Sequence, residues 1–95
     1  HGRRLASEVR TAQEAIWQDE LARLLRKLGR PAGDLGKAGK SVDWKLALAA
    51  RLKAGTTATN RWLGGTLCLG NLHEVSRKVA EWMRHPDPVL TRKLS

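Results

Sequence analysis

The aromatic residues of the chain are four tryptophans, Trp17, Trp44, Trp62 and Trp82, with no Phe or Tyr. Each falls in its own stretch of helical periodicity, on the apolar side of that stretch. The bulk of a core must then come from these indoles and the leucines around them, which favours core packing over base stacking on exposed rings. β-Branched residues are few and no alternating apolar and polar run occurs, so nothing here builds a sheet. The expected fold class is all-α: a three-helix helix-turn-helix unit preceded by a long N-terminal amphipathic helix.

Glycine and proline set the boundaries between the helical stretches. Over residues 7–28, Val9, Ala12, Ile16, Trp17, Leu21, Leu24, Leu25 and Leu28 recur at helical spacing. Ser7 is the candidate N-cap, and Gly29 with Pro31 supplies the stop. Residues 29–41, GRPAGDLGKAGKS, read as a mobile linker with at most a brief turn at Asp34-Leu35. Ser41 is placed to cap a helix over 42–54, with Trp44, Leu48 and Leu52 on one face and Gly55 at its end. Thr56 and Thr57 are candidate caps for a third helix over 58–68, with Trp62, Leu63 and Leu67 inward.

A fourth helix over 72–84 sets Leu72, Val75, Val79, Trp82 and Met83 within about a third of its circumference. His85-Pro86-Asp87-Pro88 stops it and leaves a frayed basic tail. The chain thus divides into an N-terminal helix with linker (1–41), a helix-turn-helix unit (42–84) and a tail (85–95).

Size and charge narrow the function. Ninety-five residues suit one small domain that buries about 60–65 % of its unfolded surface. The net charge is +9, and the surplus lies mainly in the second half: residues 44–95 hold nine Lys/Arg against three Asp/Glu, while residues 1–43 hold nine against six. A basic domain of this size is drawn to polyanions, chiefly nucleic acid; a merely solubilising surface is the alternative. The chain begins His1-Gly2 and its one methionine is Met83, so a piece of a longer protein is expected. No apolar run approaches the roughly 18 residues that span a bilayer, and no secretion signal is evident, so a cytoplasmic protein without membrane contact is expected.

Cys68 is the single cysteine, read as a small apolar residue at a helix end. It excludes an internal disulfide and leaves no Cys/His cluster for zinc. No metal or cofactor is expected. With no P-loop, Ser/His/Asp constellation or paired carboxylates, the chain is not read as an enzyme.

The stretch TNRWLGGTLCLGNLHEVSRKV, residues 59–79, meets the requirements of a helix-turn-helix. Those are a small residue at the helix crossing (Gly64), a turn residue tolerant of positive φ (Gly70), and shared apolar anchors (Leu67, Leu69, Val75, Val79). Opposite the fourth helix's apolar stripe lie His73, Glu74, Arg77, Lys78, Glu81 and Arg84. Arg77 carries the forked donors that match guanine, and His73 and Glu74 are placed to reach other base edges. Lys78 and Arg84 suit phosphates. Thr57, Thr59, Asn60 and Arg61 begin the third helix, where free backbone N–H groups favour a phosphate oxygen. DNA, as duplex or hairpin, is the expected partner. The competing reading is a helical interaction module that dimerises through the N-terminal helix, whose apolar stripe is widened by Ile16 and Leu25.

Three blocks, Trp44-Lys45-Leu46-Ala47-Leu48-Ala49-Ala50-Arg51-Leu52, Thr56-Thr57-Ala58-Thr59 with Trp62-Leu63, and Leu67-Cys68-Leu69-Gly70, resemble the C-terminal region of REP-associated tyrosine transposases and their relatives. The upstream helix with Gly29 and Asp34-Leu35 is similar to the linker region of that family. The resemblance spans roughly residues 8–80 and departs at Gly64-Gly65 and in the fourth helix. Those transposases cleave single-stranded DNA with a tyrosine nucleophile and a His-hydrophobic-His metal site in an N-terminal domain. This chain has no tyrosine, and His1, His73 and His85 make no such pair. What the resemblance implies is a non-catalytic DNA-binding appendage.

Overall fold

A computed structural model describes the backbone of residues 2–39 and 42–94, and the side chains of 12–39 and 42–94. The described residues form an all-α fold of six helices: α1 (Gly2–Leu28), α2 (Asp34–Lys37), α3 (Asp43–Gly55), α4 (Asn60–Thr66), α5 (Leu72–Arg84) and α6 (Pro88–Leu94). None is long and apolar enough to cross a membrane.

One core runs through the molecule. Leu24, Leu48, Leu52, Leu63, Leu67, Leu69 and Val75 are fully enclosed at its centre, with Trp17, Leu21, Leu35, Trp44, Val79 and Leu94 around them. Trp17 of α1 meets Trp62 of α4 edge-on, ring centroids 5.4 Å apart, a geometry that sets the positive edge of one ring against the other's negative face. The core expectation for the tryptophans is met in two degrees: Trp17 and Trp44 are buried, while Trp62 and Trp82 are half-buried and pack against the core.

Several expectations need correction. Helix α1 begins at Gly2, so Ser7 lies inside the helix and cannot cap its start. The end behaves as the sequence predicts. Gly29 adopts φ +69, and the Arg30 N–H donates to the Leu25 carbonyl at 3.0 Å, closing the last turn as a left-handed glycine allows. On the exposed side of α1, Arg23 bonds Glu20 one turn back and holds that carboxyl below its ordinary range.

The stretch read as a mobile linker is docked. Leu35 of α2 is buried, and the Arg30 guanidinium sits 4.6 Å over the Trp44 ring with Asp34 at 3.6 Å. The strongest tie is Lys45, fully buried, whose Nζ donates to the Leu35 and Ala38 carbonyls at 2.6 and 3.0 Å. Sequence periodicity gave no warning of it. Ser41 lies outside the described residues; the N-cap position of α3 is Val42, which makes no side-chain capping bond.

The tail is a helix. Asp87 Oδ1 accepts from the Val89 and Leu90 N–H groups at 2.8 and 3.4 Å, and Pro88 takes the first helical position, where its missing N–H costs nothing. Leu94 is buried against the body. The sequence reading treated Pro88 only as a stop; a proline that ends one helix also begins the next. On α5, Leu72 and Met83 are not core residues as expected but exposed, at 44 % and 60 %.

Candidate nucleic-acid interface

Helix α5 packs across α3 and α4 through Val75 and Val79, both buried, and half-buried Trp82. It comes close to α4 at Gly64. A Cβ built there would lie 2.7 Å from the Gly70 carbonyl oxygen and 3.1 Å from Val75 Cγ2, so the crossing position requires glycine. The turn is made by two residues rather than one. Leu69 N–H donates to the Gly64 carbonyl at 3.0 Å, and the left-handed position between them is Cys68, φ +55, followed by Gly70 at φ +108. Cys68 is exposed and free, so it serves the turn and not the core.

The third helix starts later than expected. Its N-cap is Thr59, whose Oγ1 accepts from the Trp62 N–H at 3.2 Å. Thr56 instead closes α3: its hydroxyl donates to the Leu52 carbonyl at 2.6 Å and accepts from the Ala58 N–H at 3.1 Å. Thr57 is not a cap either, because its hydroxyl accepts from Trp17 Nε1 at 3.3 Å. That bond fastens the α3–α4 loop to α1.

These bonds sort the candidate phosphate contacts. Thr57 is held by Trp17, and Asn60 Oδ1 accepts from Lys53 Nζ. Thr59 is a cap whose hydroxyl proton remains available to donate. Arg61 is exposed. Lys53 was not anticipated, although it adds a cation beside Asn60. Its signal was present in the sequence as the basic residue closing α3.

On α5 the structure separates the six polar candidates. Glu74 is half-buried and turned back. Its Oε2 accepts from the Asn71 N–H at 3.2 Å while the Glu74 N–H donates to Asn71 Oδ1 at 2.9 Å, a complete capping box. A base contact by Glu74 would cost that cap, so it is withdrawn from the reading surface. The spacing N-L-H-E carried this signal, an N-cap residue three before Glu. Replacing Asn71 by Ala is expected to lower stability by about 1 kcal/mol, measured by chemical unfolding; an unchanged midpoint would show that the box contributes nothing.

His73, Arg77 and Arg84 are exposed, and at about 100° per residue they fall within some 40° of one another on the side opposite Val75. Ala80 lies on the same line, leaving a low point between the two arginines. Arg77, Ala80, Glu81, Arg84 and His85 line one shallow hollow of about 310 Å³. Lys78 is half-buried and lines a larger open hollow of about 730 Å³ with Asp43, Glu81 and Asp87. Arg77 and His85 line the same hollow, so Lys78 stands among basic groups as well as carboxylates, whereas Arg84 is exposed.

Among the described residues, no group of three His, Cys, Asp or Glu side chains is placed to hold a metal ion. No protein-family model, curated protein or solved structure matches the chain.

Proposed function

We propose that residues 42–84 are the DNA-binding helix-turn-helix of a transposase-like protein, with α5 in the major groove. The observation that carries this reading is the exposed His73, Arg77 and Arg84 line on a helix whose opposite face is locked into the core at Val75 and Val79. A helix held this way offers forked donors to base edges without moving any buried group. Arg77 is assigned to a base, with His73 beside it toward the N-terminal end of α5. Arg84, Arg61, Thr59 and Lys53 are assigned to phosphates, with Lys78 a weaker contributor. The resemblance of residues 44–70 to the C-terminal region of REP-associated tyrosine transposases supports the same reading.

Selection of bound oligonucleotides from random duplex and hairpin pools tests it: a motif should be enriched, and the pool in which it appears names the polymer. With about four to six phosphates neutralised, log affinity should fall against log salt with a slope near −4 to −5. Arg77→Ala should lose about 1–3 kcal/mol on the selected site and relax the preference at one base pair. Arg84→Ala should weaken all sequences alike and lower the salt slope by about one. Binding indifferent to salt, or an Arg77→Ala that behaves like Arg84→Ala, would overturn the assignment.

A further inference from the structure

We infer that Ala80 reads the C5-methyl group of a pyrimidine close to the guanine taken by Arg77. This deepens the assignment of α5 to the major groove and rests on it. Ala80 is exposed. Around the helix it stands about 20° from His73, about 40° from Arg84 and about 60° from Arg77, and it lies about 4.5 Å along the axis from Arg77. A helix that sets Arg77 and Arg84 against DNA carries Ala80, which lies between them, into the same groove.

Ala80 has the shortest side chain on this line. It lines one hollow of about 310 Å³ with Arg77, Glu81, Arg84 and His85. Its methyl group offers neither a donor nor an acceptor, so a base edge set down on it meets only carbon. In the major groove guanine presents N7 and O6, adenine N7 and N6, and cytosine N4, while thymine alone adds an apolar group, its C5-methyl. A polar edge pressed onto alanine gives up water and receives no bond in return. A methyl pressed there loses only water, which is favourable.

The other residues of the hollow suit what stands beside that methyl on the ring. The Glu81 carboxylate accepts from an N4 amine, and an N–H of His85 donates to an O4 oxygen. The hollow therefore fits 5-methylcytosine as well as thymine, and the C5-methyl is the chemistry they share. The rise from Arg77 to Ala80 lies between one and two base-pair steps of about 3.4 Å, which places the pyrimidine one or two pairs from the guanine.

The test uses the whole chain and the site selected from the random pools, with Kd read from the fluorescence anisotropy of a labelled oligonucleotide. At each position within two pairs of the guanine whose preference Arg77→Ala relaxes, thymine, uracil, cytosine and 5-methylcytosine are compared. One position should bind thymine about fourfold more tightly than uracil, or 5-methylcytosine about fourfold more tightly than cytosine, as one buried methyl group predicts. The pair with the larger ratio names the source of the methyl. Ala80→Gly should bring that ratio to about one; because both oligonucleotides are measured on the same variant, any loss of helix stability cancels. Ratios near one at every position, or a ratio that survives Ala80→Gly, would refute the methyl contact and leave α5 in the groove. A chain that enriches no oligonucleotide would remove the DNA reading and this inference with it.

Discussion

Lys45→Ala is expected to destabilise the fold by about 3–5 kcal/mol, the largest effect of any single substitution considered, because two losses coincide. The side chain is enclosed entirely, so truncation leaves a cavity where its methylenes packed. Its ammonium also holds the Leu35 and Ala38 carbonyls at 2.6 and 3.0 Å. Helix α2 is only four residues long, so these carbonyls stand at a helix end, where a cation is favoured by the local dipole. Removing the cation leaves them without that donor beneath the surface.

Lys45→Met separates the two losses. It keeps most of the packed length and removes only the donors, so about 1–3 kcal/mol is expected. Urea unfolding followed by tryptophan emission measures both. If Lys45→Met is as stable as the parent, the carbonyls do not depend on the ammonium and the residue acts by packing alone.

At the α4–α5 crossing, neighbouring glycines should respond with opposite sign. Gly64→Ala would gain about 1 kcal/mol of helix propensity, but its Cβ would meet a backbone oxygen at 2.7 Å, and backbone cannot rotate aside as a side chain can. A net loss of about 1–3 kcal/mol is expected. Gly65 is exposed and a Cβ there meets nothing within 4 Å, so Gly65→Ala should gain about 0.5–1 kcal/mol. Thermal melts of the two variants side by side give the comparison. A Gly64→Ala protein as stable as the parent would mean that α5 can ride outward on α4. In that case the separation of Arg77 from Thr59 and Arg61, the phosphate contacts proposed above, would not be set by this contact.

Much of the fold was legible before the structure. The α5 boundaries agree with the expected 72–84, because a cap, a strong apolar stripe and a proline mark them within the segment itself. Gly29 and Gly64 were likewise identified by what their local geometry demands. One misreading gave a residue a role from its neighbours in sequence when a distant group had claimed it. Thr57 looked like a cap and bonds Trp17, forty residues away. Met83 looked like core on the helical wheel and is exposed, and of the two residues read as widening the α1 stripe Ile16 is exposed while Leu25 is buried, since a wheel shows that a stripe exists and not how much of it the core covers.

The candidate site divides in the same way. The polar face of α5 followed from periodicity alone, because residues opposite Val75 and Val79 have nowhere to go but solvent. Its refinement did not. Glu74 leaves the face for a capping bond that the N-L-H-E spacing signals and periodicity does not, and Lys78 is half-buried and lines a hollow together with Asp43 of α3. Lys53 joins from a different helix.

By itself the sequence determined the helical class, the end of α1 at Gly29, the bounds of α5 and its inward line through Val75 and Val79, since spacing, capping and backbone freedom act over a few residues and are written in them. Tertiary structure alone decided that Lys45 is buried, that the tail folds back to bury Leu94, and that Ile16 is left uncovered. Those outcomes depend on which surfaces meet across the core, and desolvation is settled only when the chain has closed on itself.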